Sequence, residues 1–278
     1  MMSIIRLVEI LFVTDKLIYL QLQKTGCTHI SLLLSKCVGG SQKTKHQILR
    51  NYNTGKFIVG SIRNPWKWYV SLWAFGCSGR GSLRNNLTKR NPYEILNGFF
   101  LGKIDKIKNE FEKPIKLWES TYQDYKNPEN FRRWLKLLHD PIRRKDIDEG
   151  YPEHGICNFA GLMTYRYCRL YHKDFFLRTN RLKLRSYDDL TEFDKTHNLL
   201  NFIIRNESLE DDFINALKKA GYELDENKIK FIYDSSEKKT FKSRHFESSY
   251  YYDRETIDLI ATSEKFIIEK YGYKPPIK

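Results

Sequence analysis

Three stretches of the chain gather apolar residues in the manner of buried strands, and each leads into a helical pattern. In Leu17–His29, LIYLQLQKTGCTH, the apolar positions Ile18, Tyr19, Leu20 and Leu22 have β character, and the run Ile30–Lys36 that follows has amphipathic helical spacing. Lys56–Arg63, KFIVGSIR, is nearly continuous in its apolar residues, as expected of a strand covered on both faces of a parallel sheet. It passes into Asn64-Pro65, a good N-cap followed by a proline at the first helical position. Asn201–Glu207 is a third candidate strand, and the helix after it, beginning near Ser208, carries Glu210, Asp211 and Asp212 in its first turn. Two strands separated by a helical segment make a βαβ unit, which predicts an α/β fold.

Elsewhere the pattern is weaker. The N-terminal IIRLVEILFV is apolar but short, interrupted by Arg6 and Glu9, and reads as a first helix or strand packing on the domain. Gly39–Thr44 reads as a polar loop and Lys45–Arg50 as a short segment. From Gly76 to Gly150 periodicity is slight; Pro92–Asn97 and Pro128–His139 are its two helical pieces, each opened by a proline. Ile156–His172 has a helical stripe of aromatics that reads as core. A Lys/Ser-rich loop over Ser235–Ser249 precedes a last helix, Arg254–Tyr271, with apolar Ile257, Ile260, Ala261, Ile267, Ile268 and Tyr271.

Composition changes this picture in two ways. At 278 residues, with 41% apolar and 14% aromatic residues, the chain is globular and long enough for a sizeable core. The 48 Lys and Arg against 34 Asp and Glu leave +14, which favours an anionic partner: a nucleotide, a nucleic acid, an acidic glycan or a membrane surface. Cys27, Cys37, Cys77, Cys157 and Cys168 are scattered without C-x-x-C or Cys/His ligand spacing. That argues against zinc and for a reducing, cytoplasmic setting. No membrane span is expected.

The candidate chemistry sits at the ends of the first two strands. Lys24-Thr25-Gly26-Cys27-Thr28-His29 is a strand–turn–helix junction, which aims backbone N–H groups and a helix N-terminus at an anion. Gly26 lets the backbone approach a ligand, while Lys24 and the Thr25 and Thr28 hydroxyls add donors. It is not a Walker A loop, since the Lys precedes the Gly. Arg63 stands at the carboxyl end of the second strand, where open α/β sheets bind ligands, and Ser71 follows eight residues later, about two helical turns on.

Together, KTGCTH after a first strand and RNPWKWYVS after a later buried one resemble the two cofactor motifs of the sulfotransferases that use 3′-phosphoadenosine 5′-phosphosulfate (PAPS). The first is similar to the family's 5′-phosphosulfate loop, and the second to its 3′-phosphate motif, with Arg and Ser eight apart as Arg63 and Ser71 are. Ile204–Asp212 resembles a stretch of the carbohydrate-directed branch, as does the ending with its basic Lys242-Ser243-Arg244-His245 loop. Cys27, where the family often has Gly or Thr, and Asn64 for the usual Asp are the departures.

The resemblance implies a three-layer, P-loop-like parallel sheet flanked by helices. It implies a single domain over 1–278, with 76–200 a mostly helical and loop region over the acceptor site. It also implies a cofactor site, with PAPS as cofactor and PAP (3′,5′-phosphoadenosine) as product, built from Lys24, Thr25, Gly26, Cys27, Thr28, His29, Arg63, Ser71, Lys242, Ser243 and Arg244. Sulfuryl transfer to a hydroxyl of a carbohydrate or glycolipid would use Lys24 to stabilise the leaving group and a general base. His46, between the two motifs in chain order, is the first choice; His154 and Glu153 are the substitutes. No metal is required. The competing readings are a basic nucleic-acid-binding protein and a non-catalytic PAP-binding protein of the same fold; with no recognisable nucleic-acid motif in the chain, nucleic acid is not the expected partner.

Overall fold

The computed structural model describes residues 11–42, 48–50, 52–237 and 244–276. In chain order the first elements are β1 (Phe12–Val13), β2 (Leu17–Tyr19), α1 (Cys27–Cys37), β3 (Ser41–Gln42), β4 (Phe57–Ile62) and α2 (Pro65–Cys77). The middle holds α3 (Ser82–Thr88), α4 (Pro92–Phe100), α5 (Ile104–Glu112), α6 (Ile115–Ser120), α7 (Pro128–His139), α8 (Leu162–Tyr171), α9 (Arg178–Lys183) and α10 (Tyr187–His197). The last part comprises β5 (Phe202–Arg205), α11 (Leu209–Lys219), α12 (Glu226–Glu237), α13 (Ser248–Tyr251), α14 (Arg254–Ser263) and α15 (Lys265–Tyr271). The chain divides into two compact units: one of residues 1–64, 166–180 and 191–242, the other of 65–165, 181–190 and 243–278.

The first unit holds a mixed sheet in the order β3-β1-β2-β4-β5. β2, β4 and β5 run parallel, with Tyr19 beside Val59 and Ile62 beside Arg205, as the apolar runs predict. The edge departs from the expected parallel sheet: β1 is antiparallel to both β2 and β3. The reason is the connection, since only Thr14–Lys16 join β1 to β2 and a turn that short can only reverse the chain. The Thr14 hydroxyl and amide close it, donating to the Leu17 carbonyl at 3.1 and 2.9 Å.

Gly39–Thr44 is likewise not all loop, because Ser41–Gln42 add the edge strand β3. Gly40, at φ +103°, brings the backbone so close to β1 that a Cβ would lie 2.6 Å from the Val13 carbonyl oxygen. α1 and α11 pack on the sheet through Ile30, Leu33, Leu34, Phe213, Ile214 and Leu217 around Tyr19, Val59 and Ile204. Successive strand residues face opposite ways, and Gly60, next to Val59, meets Tyr171 of α8 and Leu200. The result is an α/β unit with a mixed sheet flanked by helices.

The second unit is helical. Its core is aromatic, with Trp66, Trp68, Trp73, Trp118 and Trp134 buried together with Tyr69, Tyr251 and Tyr252. The indole N–H groups find acceptors: Trp73 the Thr121 carbonyl, Trp118 Asp146 and Trp134 the Tyr122 hydroxyl, at 2.7–2.9 Å. Where the sequence pattern suggests two helical pieces between 76 and 150, the structure has the five helices α3–α7. α3, α5 and α6 are only 6–9 residues long, so each has too few apolar positions to register as a period. The helix expected over Ile156–His172 is a 3-10 turn at Gly155–Asn158 followed by α8. The last helix is broken at Glu264 into α14 and α15, and α12 reaches to Glu237, into what reads as the Ser235–Ser249 loop. The N-terminal 1–10 and Lys45–Gln47 lie outside the described residues.

Candidate functional site

In the first unit the parallel register of β2, β4 and β5 sends the segments that follow them to the same end of the strands. Lys24–Thr28, Arg63 and Asn206–Ser208 therefore lie at the carboxyl ends of adjacent strands, the position where such sheets bind ligands. The turn after β2 is sharp. Lys24 has φ +65° and Gly26 φ +89°, both in the left-handed region. Gly26 starts α1 without a side-chain cap, so the positive end of the helix dipole and the first-turn N–H groups point out along the axis at this loop.

What fixes the loop lies beneath it. Thr25 is fully buried, and its hydroxyl donates to the Leu22 carbonyl at 2.7 Å and meets Ser61 Oγ at 2.6 Å. Ser61 Oγ is also 2.7 Å from the Tyr19 hydroxyl. Burial pushes the Tyr19 hydroxyl well above its ordinary pKa, so it stays protonated in this chain. Tyr171 completes the lattice, donating to the Ser61 carbonyl at 2.7 Å and accepting the Ser61 amide at 2.9 Å. The Thr25 hydroxyl thus positions the loop from inside, contrary to its expected use as a ligand donor; the exposed hydroxyl of the turn is that of Thr28. Cys27 also faces inward, packed in the core of α1, which is why a small thiol fits there.

Arg63, half-buried at the end of β4, extends Nη1 to the Lys24 carbonyl at 3.4 Å. Two cationic side chains, Lys24 and Arg63, and a helix N-terminus are thereby brought to one loop. The next amide, that of Asn64, donates to Glu207 Oε1 at 2.9 Å, tying the end of β4 to the segment after β5. Gly26 packs so tightly on this segment that a Cβ would fall 2.8 Å from Leu209 Cδ1 and 2.9 Å from Asn206 Nδ2. His29 is turned towards Glu210, with Nε2 3.7 Å from Oε1, so the ring belongs to the α1–α11 contact.

The remaining sequence candidates are placed elsewhere. Ser71 is buried in α2 and Arg244 is exposed, both in the second unit. His46, Lys242 and Ser243 lie outside the described residues. His154 is buried, and its Nδ1 accepts the Ile156 amide at 3.3 Å, capping the 3-10 turn. The Glu153 carboxylate is 3.5 Å from Lys106 Nζ. Both substitute bases therefore have structural partners.

Two groups of consequence are not prominent in the sequence. Ser61 is one, and its signal is a lone hydroxyl in an otherwise apolar buried strand. The other is Glu264 of the second unit, whose buried carboxylate accepts from the amides of Met163 and Thr164 at 3.1 and 2.9 Å, and from the hydroxyls of Thr164 and Tyr69. Burial raises its pKa to about 7. Among the described residues no cluster of His, Cys, Asp and Glu is arranged to hold a metal ion. Set beside protein-family models, curated proteins and solved structures, the chain matches none of them.

Proposed function

We propose that the chain is a PAPS-dependent sulfotransferase acting on a hydroxyl of a carbohydrate or glycolipid, with a three-layer, P-loop-like arrangement around its parallel strands. One observation carries the reading: a turn with Lys24 and Gly26 in left-handed backbone heads α1 while Arg63 from the neighbouring strand bonds the Lys24 carbonyl. This donor set, two cations and a helix N-terminus with an exposed Thr28 hydroxyl, fits a polyanion.

When bound, PAPS supplies the activated sulfuryl group. The first turn of α1 and Lys24 would hold its 5′ side, and Lys24 would stabilise the negative charge that develops on the leaving oxygen. Arg63 would grip the 3′-phosphate by a charge-assisted fork. His46 is assigned as general base, taking the proton of the acceptor hydroxyl.

Transfer of labelled sulfate from PAPS to a panel of sugars and glycolipids tests the roles. Lys24→Ala should lower turnover about 10²–10³-fold, as loss of an oxyanion-type donor does, with a smaller effect on PAP affinity. His46→Ala should abolish transfer and spare PAP binding. Labelled product formed equally by wild type and both variants would sink the assignment.

A further inference from the structure

α4 and α5 form a hairpin in the second unit whose two ends differ in character. At its base the buried carboxylate of Glu110 accepts the Asn91 amide at 2.8 Å and pairs with buried Lys113 at 2.7 Å. Lys106 Nζ adds a link to Glu94 across the pair at 3.1 Å. The turn is equally determined. The Lys103 amide donates to the Gly98 carbonyl at 2.8 Å, and Gly98 lies against Ile107, where a Cβ would fall 2.8 Å from Cγ1.

This fixed turn nevertheless presents Phe99, Phe100, Leu101 and Ile104 to solvent, at 75%, 76%, 57% and 74% exposure. The two rings touch each other edge to face, with centroids 6.3 Å apart. Leu96 and Tyr93 extend the exposed apolar surface down α4. Single exposed apolar side chains need no explanation, but a contiguous set on a rigid turn marks an interaction site.

Charge selects the occupant. From Lys89 to Lys116 the chain carries seven basic residues against four acidic ones, Glu94, Asp105, Glu110 and Glu112. Glu94 pairs with Lys106, Glu110 with Lys113, and Glu112 with Lys108 and Lys145, so the stretch keeps an excess of three basic residues. Lys103 stands exposed in the turn beside Asp105, and Lys108, one turn further along α5, stays exposed beside Glu112, 3.7 Å away. A second copy would set one basic hairpin against another, whereas an anionic surface complements it. Neither helix can cross a bilayer: among the described residues no helix is long and apolar enough. Aromatic and aliphatic residues at a tip, with lysines behind them on long stems, suit the boundary between headgroups and acyl chains.

We propose that the α4–α5 hairpin docks this chain on a bilayer surface bearing anionic lipids. Phe99, Phe100, Leu101 and Ile104 enter the interface, while Lys103 and Lys108 meet the headgroups. The docking holds whether or not the first unit binds a phosphosulfate.

The test is co-sedimentation of the full chain with vesicles of phosphatidylcholine alone or mixed with phosphatidylserine. Wild type should partition onto the mixed vesicles, and joint Phe99→Ser and Phe100→Ser should reduce partitioning about tenfold or more. Lys103→Glu with Lys108→Glu should weaken it about tenfold or more on the mixed vesicles, with little change on phosphatidylcholine. A Phe100→Trp variant gives a reading without loss of contacts: brominated acyl chains should quench the added indole, the native tryptophans being buried. The proposal is overturned if wild type ignores both vesicles, if the variants bind as it does, or if the added indole is not quenched. A concentration-dependent dimer that the Phe pair of substitutions dissolves would overturn it in favour of a second copy.

Discussion

At the scale of single residues the candidate site depends on one glycine and one buried hydroxyl. Gly26 combines a left-handed backbone with contact to Leu209 and Asn206. Gly26→Ala should therefore destabilise the fold by about 2–4 kcal/mol, from the left-handed strain and the overpacking together. Urea denaturation measures this, and an unchanged midpoint would mean the loop is not built this way. Thr25→Val keeps the volume but strands the lattice of Ser61 and Tyr19, at a cost of roughly 1–3 kcal/mol. The Lys-Thr-Gly turn was legible in the sequence because an apolar strand run and an amphipathic helical run meet there across a glycine. The inward direction of Thr25 was not, since a hydroxyl can point either way and only the register of β4 brings Ser61 beneath it.

At the scale of elements the sequence pattern reads well where one face or both faces are buried over several residues. β2, β4, β5, α1, α2 and α7 follow from apolar runs and proline or asparagine caps, and the structure has them close to where the pattern puts them. The break of the last helix was hidden because its cause is tertiary. Glu264 is drawn in to accept the first amides of α8, and the helix yields there.

That junction has a pH signature. With a pKa raised from 4.5 to about 7 by burial, Glu264 contributes stability that is fully present below the unfolded value and is lost as pH rises through about 7. The stability of wild type relative to Glu264→Gln should fall by about 1.4 kcal/mol per pH unit across that window, on the order of 3 kcal/mol in all. His139, pushed down to about 4 by removal from water, acts in the opposite sense. Its contribution is present above about 6.5 and is lost as pH falls through about 4, so the variant alone should gain stability with rising pH. Denaturation midpoints through the window check both; parallel curves for the two proteins would contradict the role of Glu264.

At the scale of the whole molecule the net charge of +14 admits several anionic partners, and the two units use it differently. The first gathers Lys24 and Arg63 beyond the carboxyl ends of β2 and β4; the second carries lysines behind an apolar hairpin tip. Neither use could be read from charge alone, because each depends on which residues the fold brings together. The hairpin tip in particular has no period in sequence: its apolar residues run across a turn.

The most direct test of the central claim is calorimetric titration of the full chain with PAP, ATP and a short oligonucleotide. Selective binding of PAP, weakened about tenfold or more by Arg63→Ala through loss of a charge-assisted contact and less by Lys24→Ala, is the result this account predicts. No PAP binding, with oligonucleotide affinity that falls steeply as salt rises, would contradict it and leave the basic surface as a nucleic-acid interface.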